Sequence, residues 1–463
     1  MFRLGETLQP FHLFATAMVA LCIVLGGGGT QNPLTEMLLE TAVALGVLAY
    51  AVVPSLSRGS QPIPAVAWAL VVLLPIVPLV QLIPLPPSVW HTLPGRDMEI
   101  QSLALVGADQ AWMPMSIDPG ATLAALLSVV TILAIYLIAV RLDSAGRAIV
   151  CATVVLGAAG SMVLGAFQVS HFAGHDWSFY AEHHEGWLIG FHSNRNAETE
   201  TLQAAMLATG VVVTWGMTRM RLRIALGPIA ALVLFVLTVG TVMTGSRAGL
   251  LLLPLTFVWL LVMLAPVLRW SIRALLARAA LAALVLGAIG GALAYVPAVQ
   301  RVAERFNAGG EARPTVWADT VFLIRKTWPV GSGVDTFAAL YPTAERLETL
   351  EPQNWARAHN DWLEWALEAG LPGLAVLAAI LGLLVFCAGR SFRRALAGRA
   401  DPLRRAEVLF ACGVLIHIGL HAIVDFPMRI MTLNALCAIA AAFLTADADP
   451  AVTDETGEPV EIE

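Results

Sequence analysis

The sequence predicts an all-α polytopic membrane protein of about twelve transmembrane helices with one large outward-facing loop. Three observations predict it. Of the 463 residues 58% are hydrophobic and only 13% are charged, against about 25% charged in an ordinary soluble domain. Apolar runs long enough for the roughly 20 residues that cross a bilayer recur from end to end. Arginines alternate with the apolar runs as the positive-inside rule requires of short cytoplasmic loops. This composition excludes the soluble-enzyme classes, and no nucleic-acid partner is expected.

The apolar stretches lie near 11–28, 34–54, 64–84, 121–140, 148–168, 197–217, 224–243, 248–266, 274–295, 371–388, 406–425 and 430–446. The first is long, flanked by Arg3 and Glu6, and has no small-residue cleavage site, so it reads as an uncleaved helix. Net charge is −6, but the tail from Asp447 to Glu463 holds acids and no Lys or Arg, which leaves the rest close to neutral. That tail, 447–463, reads as a solvated cytoplasmic end. Residues 1–446 read as one integral domain. The five cysteines sit in or at the ends of apolar runs without CxxC spacing, which argues against disulfides and structural zinc.

Placing the N-terminus in the cytoplasm puts Arg58, Arg141, Arg147, the "TRMRLR" run at 218–223, Arg269, Arg273, Arg278 and the cluster from Arg390 to Arg405 in inside loops. Both termini are then cytoplasmic. Segments 85–120, 169–196 and 296–370 face the other side. The third is the longest and contains helix-like pieces such as "RPTVWADTVFLIRKTW" at 313–328, followed by the turn "PVGSG" at 329–333. "GLPG" at 370–373 marks entry into the next span.

Topology accounts for the inside arginines but not for the outward ones. Arg247 in "TGSRAG" (244–249) lies between two apolar runs with almost no loop, and Arg195 in "GFHSNRNAETE" (190–200) immediately precedes another. An ionised residue at bilayer depth costs at least about 2.5–3.5 kcal/mol on insertion scales. Snorkelling or pairing with an acid is one explanation. Bidentate binding of a phosphate-bearing ligand is the other. Around Arg247 the small residues Gly245, Ser246, Ala248 and Gly249 would let a headgroup approach the backbone at the positive end of a new helix.

The stretch "RAHNDWLEWALEAGLPG" (357–373) begins polar and becomes apolar. Histidine as a residue type titrates near neutrality, so His359 suits proton abstraction from a hydroxyl. Asn360 and Asp361 would orient it or substrate, or would simply cap a helix whose first turn holds Glu364. His417, His421 and Asp425 share one helix face, which suits an interhelical hydrogen-bond ladder better than a metal site. Asp425 is placed to pair with Arg429 or with a site arginine. His171, His175, His183, His184 and His192, with Trp177 and Trp187, form an aromatic-anchored outer loop within reach of sugar. Trp317, Trp328, Tyr341, Trp355, Trp362 and Trp365 read as an interfacial belt, or as stacking platforms for sugar rings.

Together, "GFHSNRN", "TGSRAG", "RPTVW" with "PVGSGVDTF", and "AHNDWLEWALEAGLPGL" resemble the O-antigen ligase and polymerase superfamily over roughly residues 185–445. The resemblance implies a GT-C-like membrane glycosyltransferase domain with a periplasmic loop, 296–370, in the bacterial inner membrane. Its substrate would be a glycan on undecaprenyl diphosphate. The acceptor would be lipid A–core for a ligase, or a second lipid-linked unit for a polymerase. Membrane lipids are the other partners, and neither metal nor other cofactor is implied. Carried over position by position, His359 is the catalytic residue and Arg247, Arg195 and Arg313 bind the diphosphate, with Ser246, Asn360, Asp361 and Asp425 in support. Glu198 and Glu200 depart from the family pattern, because two acids beside a diphosphate site repel it unless they pair or face away. A transporter or flippase of a lipid-linked or anionic solute would also use outward arginines. Such a protein predicts matching halves with broken midplane helices, which the sequence lacks. A nonenzymatic scaffold leaves the arginine–histidine set unexplained.

Overall fold

The computed structural model describes residues 8–29, 33–175, 177–219, 223–269, 313–349, 355–396 and 401–446, with scattered positions between 271 and 304. Most of the ninth apolar stretch, 274–295, and of the loop portion 296–312 lies outside the described residues. So do Arg221, Arg399 and the acidic tail.

In order, the helices are α1 (Pro10–Leu25), α2 (Pro33–Val52), α3 (Ala67–Gln81), α4 (Pro87–Trp90), α5 (Asp97–Leu105), α6 (Pro119–Val140) and α7 (Ser144–Ser170). Then come α8 (Arg195–Thr218), α9 (Arg223–Met243), α10 (Arg247–Leu264), α11 (Arg313–Thr327), α12 (Phe337–Leu340), α13 (Asp361–Leu396), α14 (Pro402–His421) and α15 (Met431–Thr445). Two antiparallel two-residue strands, Pro84–Leu85 and Met113–Pro114, brace the first outer segment.

Helices α2, α6, α7, α9, α10 and α13 are each long and apolar enough to cross a membrane, while α1, α3 and α15 are apolar but shorter. Apart from the ninth stretch, every predicted run coincides with a helix. The run at 224–266 divides cleanly where Gly245 takes a positive φ of 64°.

Helix α8 is the hub. It packs against α7, α9, α10 and α14, and Glu198, Thr199, Glu200, Thr201 and Gln203 are buried along it. Small residues let its neighbours come close. A Cβ added at Gly210 would lie 2.8 Å from the Met263 methyl. A run this polar survives at bilayer depth only because other helices satisfy it.

Contacts sort the loops onto two ends. At one, Arg147 and Arg404 both bind Glu407 (3.1 Å each), Arg219 pairs with Asp401, and Gln61 N donates to Arg141 O. At the other lie the loop after α1, the start of α8, the α9–α10 turn, the large outer loop and the start of α15. There Ser193 N donates to Gly27 O, and Thr432 N donates to Gly26 O.

The tenth span differs from its predicted form. Helix α13 begins at Asp361 and bends at Gly370 (φ 57°, ψ −157°) rather than starting at "GLPG". The cause is "PVGSG". Leu371 N donates to Pro329 O (2.8 Å), Gly333 N to Glu368 O (2.9 Å) and Ser332 N to Leu367 O (3.1 Å). The two backbones meet so closely that a Cβ at Gly370 would overlap Pro329 O. Beneath this clasp Val316, Leu323, Phe337, Tyr341, Ala358 and Leu367 form a small core joining α11 to the outer turns of α13.

Candidate active site

The segment before α8 is fixed by buried polar contacts. Gly190 (φ 56°) lies so close to Ser161 that no side chain fits there. Ser161 Oγ donates to Glu198 Oε2 (2.7 Å), and His192 Nδ1 lies 2.8 Å from the same oxygen. Asn194 caps α8 by accepting from Asn196 N (2.8 Å). Arg195 is thus the first helical residue, and its guanidinium lies 5.0 Å from the Trp187 ring centroid, a cation–π distance.

Trp187 also packs on the α9–α10 turn. A Cβ at Gly245 would overlap its ring, so glycine is required there both by the positive φ and by the contact. Ser246 Oγ accepts from Gly249 N (3.2 Å), which starts α10 with Arg247 as its first residue. Two arginines therefore open two helices whose positive ends lie against one indole.

His359 adopts a left-handed backbone, φ 51°. Its Nδ1 lies 2.9 Å from Asp425 Oδ1, and Asn196 Nδ2 donates to Asp425 Oδ2 (2.6 Å). Asp425 thus joins "AHND" to "NRN". Burial by itself would raise the Asp425 carboxyl, but the hydrogen bond and charge of His359, with His421 and Arg313, hold it well below the usual carboxylate range. An ionised Asp425 only accepts, so His359 Nδ1 carries the hydrogen between them and Nε2 is the ring's second nitrogen. The edges of Trp355 and Phe426 enclose the ring, with centroids 5.6 and 4.8 Å away. Arg313 begins α11, close enough for its charge to act on Asp425.

Each of the two acids, Glu198 and Glu200, has a histidine partner, although Glu198 Oε1 is buried without a hydrogen bond. Glu198 is held by Ser161 and His192, and Glu200 Oε1 lies 2.6 Å from His421 Nδ1. The titratable partners found for these two acids are histidines. His421 Nε2 is 4.0 Å from Asp425 Oδ2. His417 Nε2 is 3.4 Å from Thr256 Oγ1, which donates to Gln203 Oε1 (2.7 Å). This face of α14 is an interhelical ladder.

Asp425 does not pair with Arg429. Arg429 instead binds Glu368 (2.6 Å), Glu364 (3.3 Å), Asp335 (3.6 Å) and Asp361 (3.7 Å). Arg357 binds Asp335 and Glu364, the latter at 3.3 Å. Asn360 Oδ1 caps α13 by accepting from Leu363 N (3.1 Å), and Asp361 Oδ2 accepts from Met428 N (2.8 Å). Both residues hold the frame around His359.

Residues 232–378 match the family model described as O-antigen ligase. That match, over about a third of the chain, supports the O-antigen ligase and polymerase superfamily. No curated protein matches it. The matched region carries Arg247, Arg313 and His359. Arg195 and Asp425 fall outside it, and the structure attaches them through Trp187 and through Asn196 and His359.

Sequence reasoning named Trp187 but missed its packing on the α9–α10 turn, the Glu200–His421 pair, and the Arg357–Arg429 cluster with Asp335, Glu364 and Glu368. One signal was present, because Asp361, Glu364 and Glu368 are spaced i, i+3 and i+7 on one helical face. The loop tryptophans divide by role. Indole N–H groups of Trp317, Trp362 and Trp365 donate to Ala358 O, Gly419 O and Gly373 O at 3.0–3.1 Å. Trp317 thereby holds the residue before His359, whereas Trp362 keeps an exposed ring. Trp328 remains exposed.

Proposed function

We propose that the chain transfers a glycan from undecaprenyl diphosphate to an acceptor sugar at the periplasmic face of the bacterial inner membrane, as a GT-C-like enzyme with twelve crossings. The family match over residues 232–378 supports the ligase or polymerase class. The observation that carries the mechanism is the contact of His359 Nδ1 with Asp425, which is also held by the neighbour of Arg195.

In this reading the acceptor hydroxyl gives its proton to His359 Nε2 as its oxygen bonds to the anomeric carbon. The bond from that carbon to the diphosphate oxygen breaks on the opposite face, and the electron pair leaves with undecaprenyl diphosphate. Configuration inverts, and the step uses no metal. Arg247, Arg195 and Arg313 meet the charge that grows on the leaving diphosphate. Fixed guanidinium groups in a partly dry site stabilise such charge without the reorganisation that water needs.

The test is the glycan profile of cells whose only copy is His359→Ala, with membrane levels of protein matched. Loss of transferred glycan supports the reading, and an unchanged profile refutes it. The deletion profile separates the subclasses: bare core means ligase, and a single attached unit without long chains means polymerase.

A further inference from the structure

Beside the arginines the outer loop encloses a cavity of about 280 Å³, lined by His171, His175, His183, His184, Glu185 and Trp187 over a floor of Gln168 and Ile189. The floor is rigid. Gln168 Nε2 donates to Gly190 O (2.9 Å) and Gln168 Oε1 accepts from Gly190 N (2.8 Å). The cavity also touches the proposed diphosphate anchor directly, because Arg195 N donates to His184 Nδ1 (3.3 Å) and the Arg195 guanidinium covers Trp187.

The lining selects the ligand. Its one aliphatic residue is Ile189, which does not suit a lipid chain. Neither Lys nor Arg lines it and Glu185 does, which disfavours a phosphate. Among the described residues no three His, Cys, Asp or Glu side chains converge as metal ligands. An indole and several donors and acceptors remain, in a volume at the lower end of small-molecule pockets, roughly 300 Å³. Those features fit one neutral sugar ring, with an apolar face for the indole and hydroxyls for the imidazoles.

We infer that this cavity is a subsite for a neutral sugar ring of the donor glycan, beside the ring attached to diphosphate. The assignment to the donor rests on the glycan-transfer reading, because it follows from contact with Arg195.

The test uses the full chain in nanodiscs. Free hexoses, N-acetylhexosamines and deoxyhexoses are screened by saturation-transfer NMR against wild type, His175→Ala/Glu185→Ala and His359→Ala. At least one sugar gives signal with wild type and with His359→Ala, and the double variant lowers it by about fivefold or more. With lipid-linked donor, the double variant raises the donor KM about tenfold while kcat stays within about twofold. Absence of signal for every sugar, or equal signal in the double variant, overturns the subsite. A KM rise confined to the acceptor overturns the assignment to the donor. Full transfer by His359→Ala refutes the catalytic reading and leaves the NMR result to decide the subsite separately.

Discussion

At the scale of single residues, the account turns on one imidazole and the carboxylate that orients it. His359→Ala removes the base, and general-base catalysis accounts for about 10²–10⁴ in rate. Single-turnover transfer therefore falls by that factor while donor binding persists. Asp425→Asn leaves the geometry but offers an amide where Nδ1–H needs a carboxylate, so kcat falls at least about tenfold with little change in KM. The same carboxylate makes a pH prediction. Its folded pKa lies below the unfolded value of about 3.9. Its contribution to stability is therefore complete above that value and disappears as pH falls through the folded one. The melting-temperature gap between wild type and Asp425→Asn narrows below about pH 4. A gap that widens in acid contradicts the assignment. His359 was legible because a titratable residue opens an apolar segment. Its link to Asp425 was not, because 66 positions separate the two and no sequence rule pairs them.

At the scale of elements, two glycine-bearing turns place the charges. Gly245→Ala forces a Cβ into Trp187 and a side chain onto a left-handed backbone, at a conformational cost of about 1–2 kcal/mol. The shift moves the start of α10, so donor KM rises more than kcat falls, read by steady-state transfer in nanodiscs. A variant with unchanged donor KM removes Trp187 as the bridge between the two arginines. "GSRAG" and "PVGSG" were both readable as turns. What the second turn holds was not, because its partner is the backbone of residues 367–371, about 35 positions away, and backbone carries no sequence signal. That clasp bends α13 at Gly370 and moves its start from the predicted 371 to Asp361.

For the whole molecule, hydropathy predicted the helical bundle because an apolar run of spanning length has few other places to go. It also placed α8, although buried Glu198, Glu200 and Gln203 dilute the apolar signal there. That dilution is itself functional information, since such residues survive in a membrane only with partners. The outer loop is joined to the bundle through Arg429, which faces Asp335 from the loop and Asp361, Glu364 and Glu368 from α13. Removing one partner of a buried ionic network costs about 3–5 kcal/mol. Arg429→Ala therefore melts lower and exposes the 313–349 segment to protease, while Arg325→Ala on the same loop does neither. Equal protease resistance in both variants would mean that other contacts hold the loop.

The most direct measurement is transfer of glycan from a lipid-linked diphosphate donor by the purified chain in nanodiscs, comparing wild type with His359→Ala and Arg247→Ala and following donor binding in parallel. The account predicts that the histidine variant binds donor normally and transfers almost none, whereas the arginine variant loses donor affinity as well. Undiminished transfer by His359→Ala, or donor affinity indifferent to Arg247, would contradict it.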